Sequence, residues 1–161
     1  MTALARCLRD DHPQGSRRVI GAVMAGLVLL ACAIPGPAAA QSPKLTPEER
    51  AAICAEAEPR LKDWLADHPI GEATVVVATW KEVFCPETVT VKAGQKLLFV
   101  NVEKRTSHSV WFKADGRAES QRFFPDETVE QPVDLDEGEH DFVCGPHPWM
   151  RGKVIVEGAK K

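Results

Sequence analysis

Cys144-Gly-Pro-His147-Pro-Trp-Met150 sets a thiol, an imidazole and a thioether at three-residue steps in one short stretch. That spacing constrains the fold more than anything else in the chain. Two His and one Cys in a plane, with a weak axial Met, are the donors of a type 1 copper site. One imidazole is missing from the loop. Thr106-Ser107-His108-Ser109-Val110-Trp111-Phe112 supplies it, with His108 at the head of an apolar run that reads as a strand. The fold must therefore return a segment some 36 residues upstream, that of His108, to the side of Cys144. The candidate metal ligands are His108, Cys144, His147 and Met150.

Counts over the rest of the chain agree. Of three Met, Met1 and Met24 fall in an N-terminal leader, which leaves Met150 as the last one. A residue normally spent as core filler stands where copper takes a soft axial donor. Cys7 and Cys32 also fall in the leader, and Cys54, Cys85 and Cys144 remain. With Cys144 given to the metal, Cys54 and Cys85 are expected to pair, and two separate free thiols are the alternative.

The leader has the order of a secretory signal: Arg17-Arg18, the apolar run 19–34, then Pro35-Gly36-Pro37 and Ala38-Ala39-Ala40 before Gln41. It predicts removal of residues 1–40 and export to the periplasm. Ser16-Arg17-Arg18 hints at twin-arginine export, and Leu29-Leu30-Ala31-Cys32 offers a competing lipidation site. The apolar run is shorter than the roughly 20 residues of a membrane span. Without the four basic and two acidic residues of the leader, 16 Lys and Arg face 21 Asp and Glu, a balance of −5. The clustered basic face of a nucleic-acid binder is missing.

Residues 41–71 read as a helical extension. Thr46-Pro47-Glu48-Glu49 combines a cap, a Pro at the first helical position and an acid three residues after the cap, so a helix is expected from Pro47. Ile53, Ala57, Leu61, Trp64 and Leu65 share a face that suits packing on the following domain. Pro59 predicts a kink or two short helices, and His68-Pro69-Ile70-Gly71 ends the segment.

From residue 72 to 161 the pattern is all-β. Residues 74–78, 88–91, 96–100, 109–112, 140–143 and 153–156 are rich in β-branched and aromatic side chains, with turn signals at Ala93-Gly94, Asp115-Gly116 and Glu137-Gly138. Short strands in this number imply two packed antiparallel sheets.

On these residues the chain resembles the cupredoxins, and within them the amicyanin branch. The Cys-x-x-His-x-x-Met spacing and the following Arg151-Gly-Lys-Val-Ile-Val-Glu157 carry the likeness over residues 74–157. It implies a Greek-key β-sandwich with one copper per chain at one end, held by His108, Cys144, His147 and Met150. Ser109 stands where that branch has Asn, and Trp149 where it has Phe. Ser109 is expected to tie the His108 loop to the Cys144 loop, and Pro146 and Pro148 to stiffen the backbone around His147. Pro148 and Trp149 are the expected docking rim.

Duller readings exist for each residue, including a zinc site from two His and one Cys. His140 is expected to be a partly buried core residue and His68 a helix end, so neither is a candidate ligand. The functional expectation is a monomeric electron carrier between a periplasmic dehydrogenase and a c-type cytochrome or oxidase. Copper storage or delivery is the alternative. With His68, His108, His140 and His147 as the only His after the leader, too few remain for a multicopper enzyme.

Overall fold

The computed structural model describes residues 44–158, so the leader, Cys32 and the twin-arginine motif lie outside the described residues. Helix α1 spans Pro47–Asp67. Thr46 Oγ1 accepts the Glu49 N–H at 3.2 Å while Glu49 Oε2 accepts the Thr46 N–H at 2.8 Å, which satisfies two donors the helix itself leaves free. α1 runs through Pro59 as one helix, so of the two expected outcomes the pair of short helices does not form. Both Pro59 and Ala55, whose carbonyl loses its partner, lie on the exposed face. Water can replace the lost bond there.

Seven strands follow: β1 Thr74–Trp80, β2 Val83–Cys85, β3 Thr88–Lys92, β4 Lys96–Asn101, β5 Thr128–Pro132, β6 Gly138–Val143 and β7 Arg151–Glu157. They form two sheets, ordered β2-β1-β4-β5 and β3-β7-β6. The β1–β4 and β3–β7 pairs are parallel, so both sheets are mixed and the expectation of antiparallel sheets is corrected. Side chains of both sheets interleave in one core, where Phe84, Phe99 and Phe142 meet edge to face at 4.8 to 5.8 Å. Phe142 stands opposite Gly152 across the β6–β7 ladder, and a side chain at Gly152 would collide with its ring.

The outer face of the first sheet is covered by α1. Ala57 is buried against Ala78, Val83, Cys85 and Val100, with Ile53, Leu61 and Trp64 beside it. Cys54 of α1 is bonded to Cys85 of β2, Cα to Cα 5.2 Å. Arg60 lies 4.0 Å over the Trp80 ring.

Two strand expectations need correction. Residues 109–112 form no regular strand: His108 pairs with Phe123 and Trp111 with Val143, each as a single bridge. The segment passes from one neighbour to another, so neither ladder extends. β5 is the opposite case, an edge strand of alternating exposure whose Pro132, Gln131 and Glu130 hide its periodicity.

Candidate metal centre

Asn101 closes β4 and is fully buried, and it builds the loop that delivers the first imidazole. Its Nδ2 donates to the Thr106 carbonyl at 2.7 Å and its Oδ1 accepts the Glu103 N–H at 3.0 Å and the Thr79 hydroxyl at 3.2 Å. Residues 102–107 are folded around that amide. His108 then enters the core with no exposure to solvent, its N–H and carbonyl both paired to Phe123.

The second loop is closed on itself. The Cys144 N–H donates to the Met150 carbonyl at 3.0 Å and the Met150 N–H to the His147 carbonyl at 2.8 Å. Cys144 and Met150 are buried, His147 is half-buried, and Pro146 and Pro148 flank it. Both imidazoles turn Nδ1 to the sulfur: Cys144 Sγ lies 3.7 Å from His108 Nδ1 and 3.4 Å from His147 Nδ1. The ligand atoms of His108, Cys144 and His147 all lie within 4.8 Å of one another.

Polar neighbours set the state of each donor. The Glu103 carboxylate accepts from His108 Nε2 at 3.0 Å, which leaves Nδ1 facing the Cys144 sulfur. Burial opposes charge on this ring, but Cys144 and Glu103 outweigh it and push the His108 pKa up to about 9. Metal binding at Nδ1 therefore displaces a proton. Burial raises the Cys144 thiol, yet His108 and the N–H of Ser109 at 3.5 Å bring it below its ordinary value. Burial and the nearby His108 charge hold His147 below the ordinary imidazole range.

Ser109 bridges the loops through its hydroxyl, which accepts the Gly145 N–H at 3.0 Å and donates to Glu119 Oε1 at 2.6 Å. A side chain at Gly145 would collide with that Glu119 carboxylate. Trp149 is 45% exposed, with its ring centroid 5.5 Å from that of His147 and its indole N–H donated to Glu82 Oε2 at 2.8 Å. Pro148 beside it is exposed. His140 stands apart from this cluster: its Nδ1 lies 2.7 Å from Asp115 Oδ1 and its Nε2 2.9 Å from the Asp136 carbonyl. His68 caps α1 and stacks on Trp64 at 4.2 Å.

Glu82, Asn101, Glu103 and Glu119 were not singled out by the sequence. Glu119 and Glu82 lie 10 and 67 residues from the partners they bond, so no local spacing marks them.

A two-sheet sandwich with a buried His-Cys-His cluster at one end defines a cupredoxin. Residues 54–156 match the family model of the cupredoxin-like domain, and the chain belongs to that family. It is similar to amicyanin of Paracoccus versutus, 38% identical over 86 residues that cover 52% of this chain and 64% of that protein. It is 34% identical over 92 residues to amicyanin-alpha of Methylorubrum extorquens, covering 55% of this chain and 75% of that protein. Among solved structures, a reduced tryptophan-to-tyrosine mutant of amicyanin matches with a TM-score of 0.50 at 27% identity over 55% of this chain and 87% of its own. A Cu(I) form of another amicyanin mutant matches equally well.

The donor chemistry fits one copper ion. A thiolate-prone Cys and two imidazoles presenting Nδ1 suit a metal that accepts soft and borderline donors, and the buried thioether of Met150 follows in the same closed loop.

Proposed function

We propose that this protein is an exported one-electron carrier that holds a single type 1 copper between His108, Cys144 and His147, with Met150 as the weak fourth donor. The observation that carries the reading is the burial of His108 and Cys144 inside two loops pinned by Asn101, Ser109 and the Cys144–Met150 backbone bond. Donors fixed in this way move little when the metal changes oxidation state. Bound copper supplies a one-electron couple, and the chain supplies the frame.

Storage or delivery of copper is the second reading. It requires donors that exchange with a partner, and a fully buried Cys144 and His108 favour the carrier over it. The proposal takes residues 1–40 as a leader removed on export to the periplasm, 41–71 as an extension and 72–161 as the copper domain. Among the described residues no helix is long and apolar enough to cross a membrane. The electron donor is proposed to be a periplasmic dehydrogenase and the acceptor a c-type cytochrome or oxidase, met by a monomer through the rim of Pro148 and Trp149. Weak redox encounters bury little area, and the charge of −5 that follows loss of the leader steers toward basic partners.

The purified protein is expected to bind one copper per chain and, oxidised, to show an intense blue thiolate-to-Cu(II) band with narrow copper hyperfine splitting. Cys144→Ser removes the colour and leaves the fold. A colourless copper complex of the unmodified protein overturns the assignment.

A further inference from the structure

The β1–β2 connection is a two-residue turn whose central residues, Lys81 and Glu82, both have positive φ, 50° and 57°. Asn-Gly or Gly-Gly is the usual occupant of such a turn. A left-handed conformation is strained for an ordinary side chain. Lys81 and Glu82 both adopt it, and each side chain is engaged. Lys81 Nζ lies 2.7 Å from Glu56 Oε2 on α1, and that same carboxylate accepts the Trp80 indole N–H at 3.3 Å.

Glu82 reaches both imidazoles of the metal cluster. Its backbone N–H donates at 3.0 Å to Glu103 Oε1, the same oxygen that takes His108 Nε2 at 3.0 Å. Its carboxylate takes the indole N–H of Trp149, the ring next to His147. The His108 arm acts through a half-buried carboxylate, and the His147 arm through an aromatic face.

We infer that the Lys81-Glu82 turn is a positioning element that orients His108 through Glu103 and His147 through Trp149, and that α1 sets its stance through Glu56. The helix on the outer face of the sheet then contributes to the metal site without touching it. This rests on His108 and His147 being the metal ligands.

The test uses the full chain and four substitutions. Glu82→Gly relieves the left-handed backbone and removes the whole side chain with its carboxylate, so it folds; Glu82→Gln keeps the size and a neutral acceptor. Glu56→Gln with Lys81→Met unties the turn from α1 and leaves the disulfide. In Glu82→Gly, which removes the acceptor, the Trp149 indole N–H exchanges faster with water by NMR, and in Glu82→Gln, whose amide oxygen still accepts, it changes less. The Cu(I) affinity of Glu82→Gly, measured by competition with a chromogenic chelator, falls about threefold, less than the tenfold that loss of a ligand's direct partner costs. In the double variant exchange at His108 Nε2–H quickens. A turn that serves folding alone would lower thermal stability and leave exchange and Cu(I) affinity at wild-type values, and that result overturns the inference. The two proposals fail separately: a colourless wild type removes the copper assignment, whereas a blue wild type with unaltered variants removes only the role of the turn.

Discussion

Gly145 donates its backbone N–H to Ser109 Oγ, and through that hydroxyl the residue next to Cys144 is joined to the residue next to His108. The bridge continues to Glu119, which accepts the Ser109 proton. One short side chain thus holds two ligand-bearing loops, and its backbone N–H points at the Cys144 sulfur.

Ser109→Ala is expected to leave the Gly145 N–H and Glu119 without that partner. Loss of a buried hydrogen bond of this kind costs about 1 to 3 kcal/mol, seen as a lower midpoint in chemical denaturation. The backbone N–H to Cys144 survives, so the blue band stays. A denaturation midpoint equal to that of the wild type would show that the bridge does not hold the loops together.

The candidate ligands stood out in the sequence because each is scarce and spaced: one Met after the leader, one Cys within three residues of a His, and a second His before an apolar run. What supports them was not legible. Asn101, Glu103 and Glu119 become neighbours of the cluster only through the parallel β1–β4 register and the bridge between His108 and Phe123. The same cause hid the end of the 109–112 run, whose apolar side chains are buried without a ladder because its partners change at each step. Pro59 misled in the other direction. A local rule foresaw a kink or two short helices, and α1 is a single helix whose Ala57 and Trp64 pack on the sheet.

Cys54 and Cys85 close a loop of 31 residues between α1 and β2. Replacing both by Ala is expected to cost about 3 kcal/mol and to leave the visible spectrum unchanged, since neither sulfur belongs to the metal cluster. Calorimetry of the copper-loaded variant against wild type checks both parts, and an altered band would place the disulfide in the control of the site.

His140 carries the clearest pH dependence outside the cluster. Burial disfavours its charged ring, but Asp115 and the Asp136 carbonyl outweigh burial and raise its pKa above the ordinary value. A raised folded-state pKa means that the charged ring stabilises the fold fully below the unfolded pKa of about 6.5, and that this contribution is lost as pH rises through the raised value. His140→Gln is expected to lower stability at pH 6 by about 1 kcal/mol and to narrow its gap from wild type at higher pH. Equal gaps at both ends of a pH series of urea melts would exclude the pair as the cause.

Trp149 has two separable functions, an exposed apolar face beside His147 and an indole N–H held by Glu82. Trp149→Phe keeps the face and loses the N–H, whereas Trp149→Ala loses both. If the rim is where a redox partner docks, Ala slows electron exchange with that partner by about thirtyfold, as removal of an aromatic anchor worth roughly 2 kcal/mol would, and Phe leaves it near the wild-type rate. The hydrogen bond to Glu82 predicts a different pattern for the metal: Phe and Ala both lack the indole N–H, so each reproduces the loss of Cu(I) affinity expected on removing the Glu82 carboxylate. Stopped-flow exchange and chelator competition on the same two variants separate docking from positioning. Equal exchange rates for Ala and wild type would move the docking face away from Trp149.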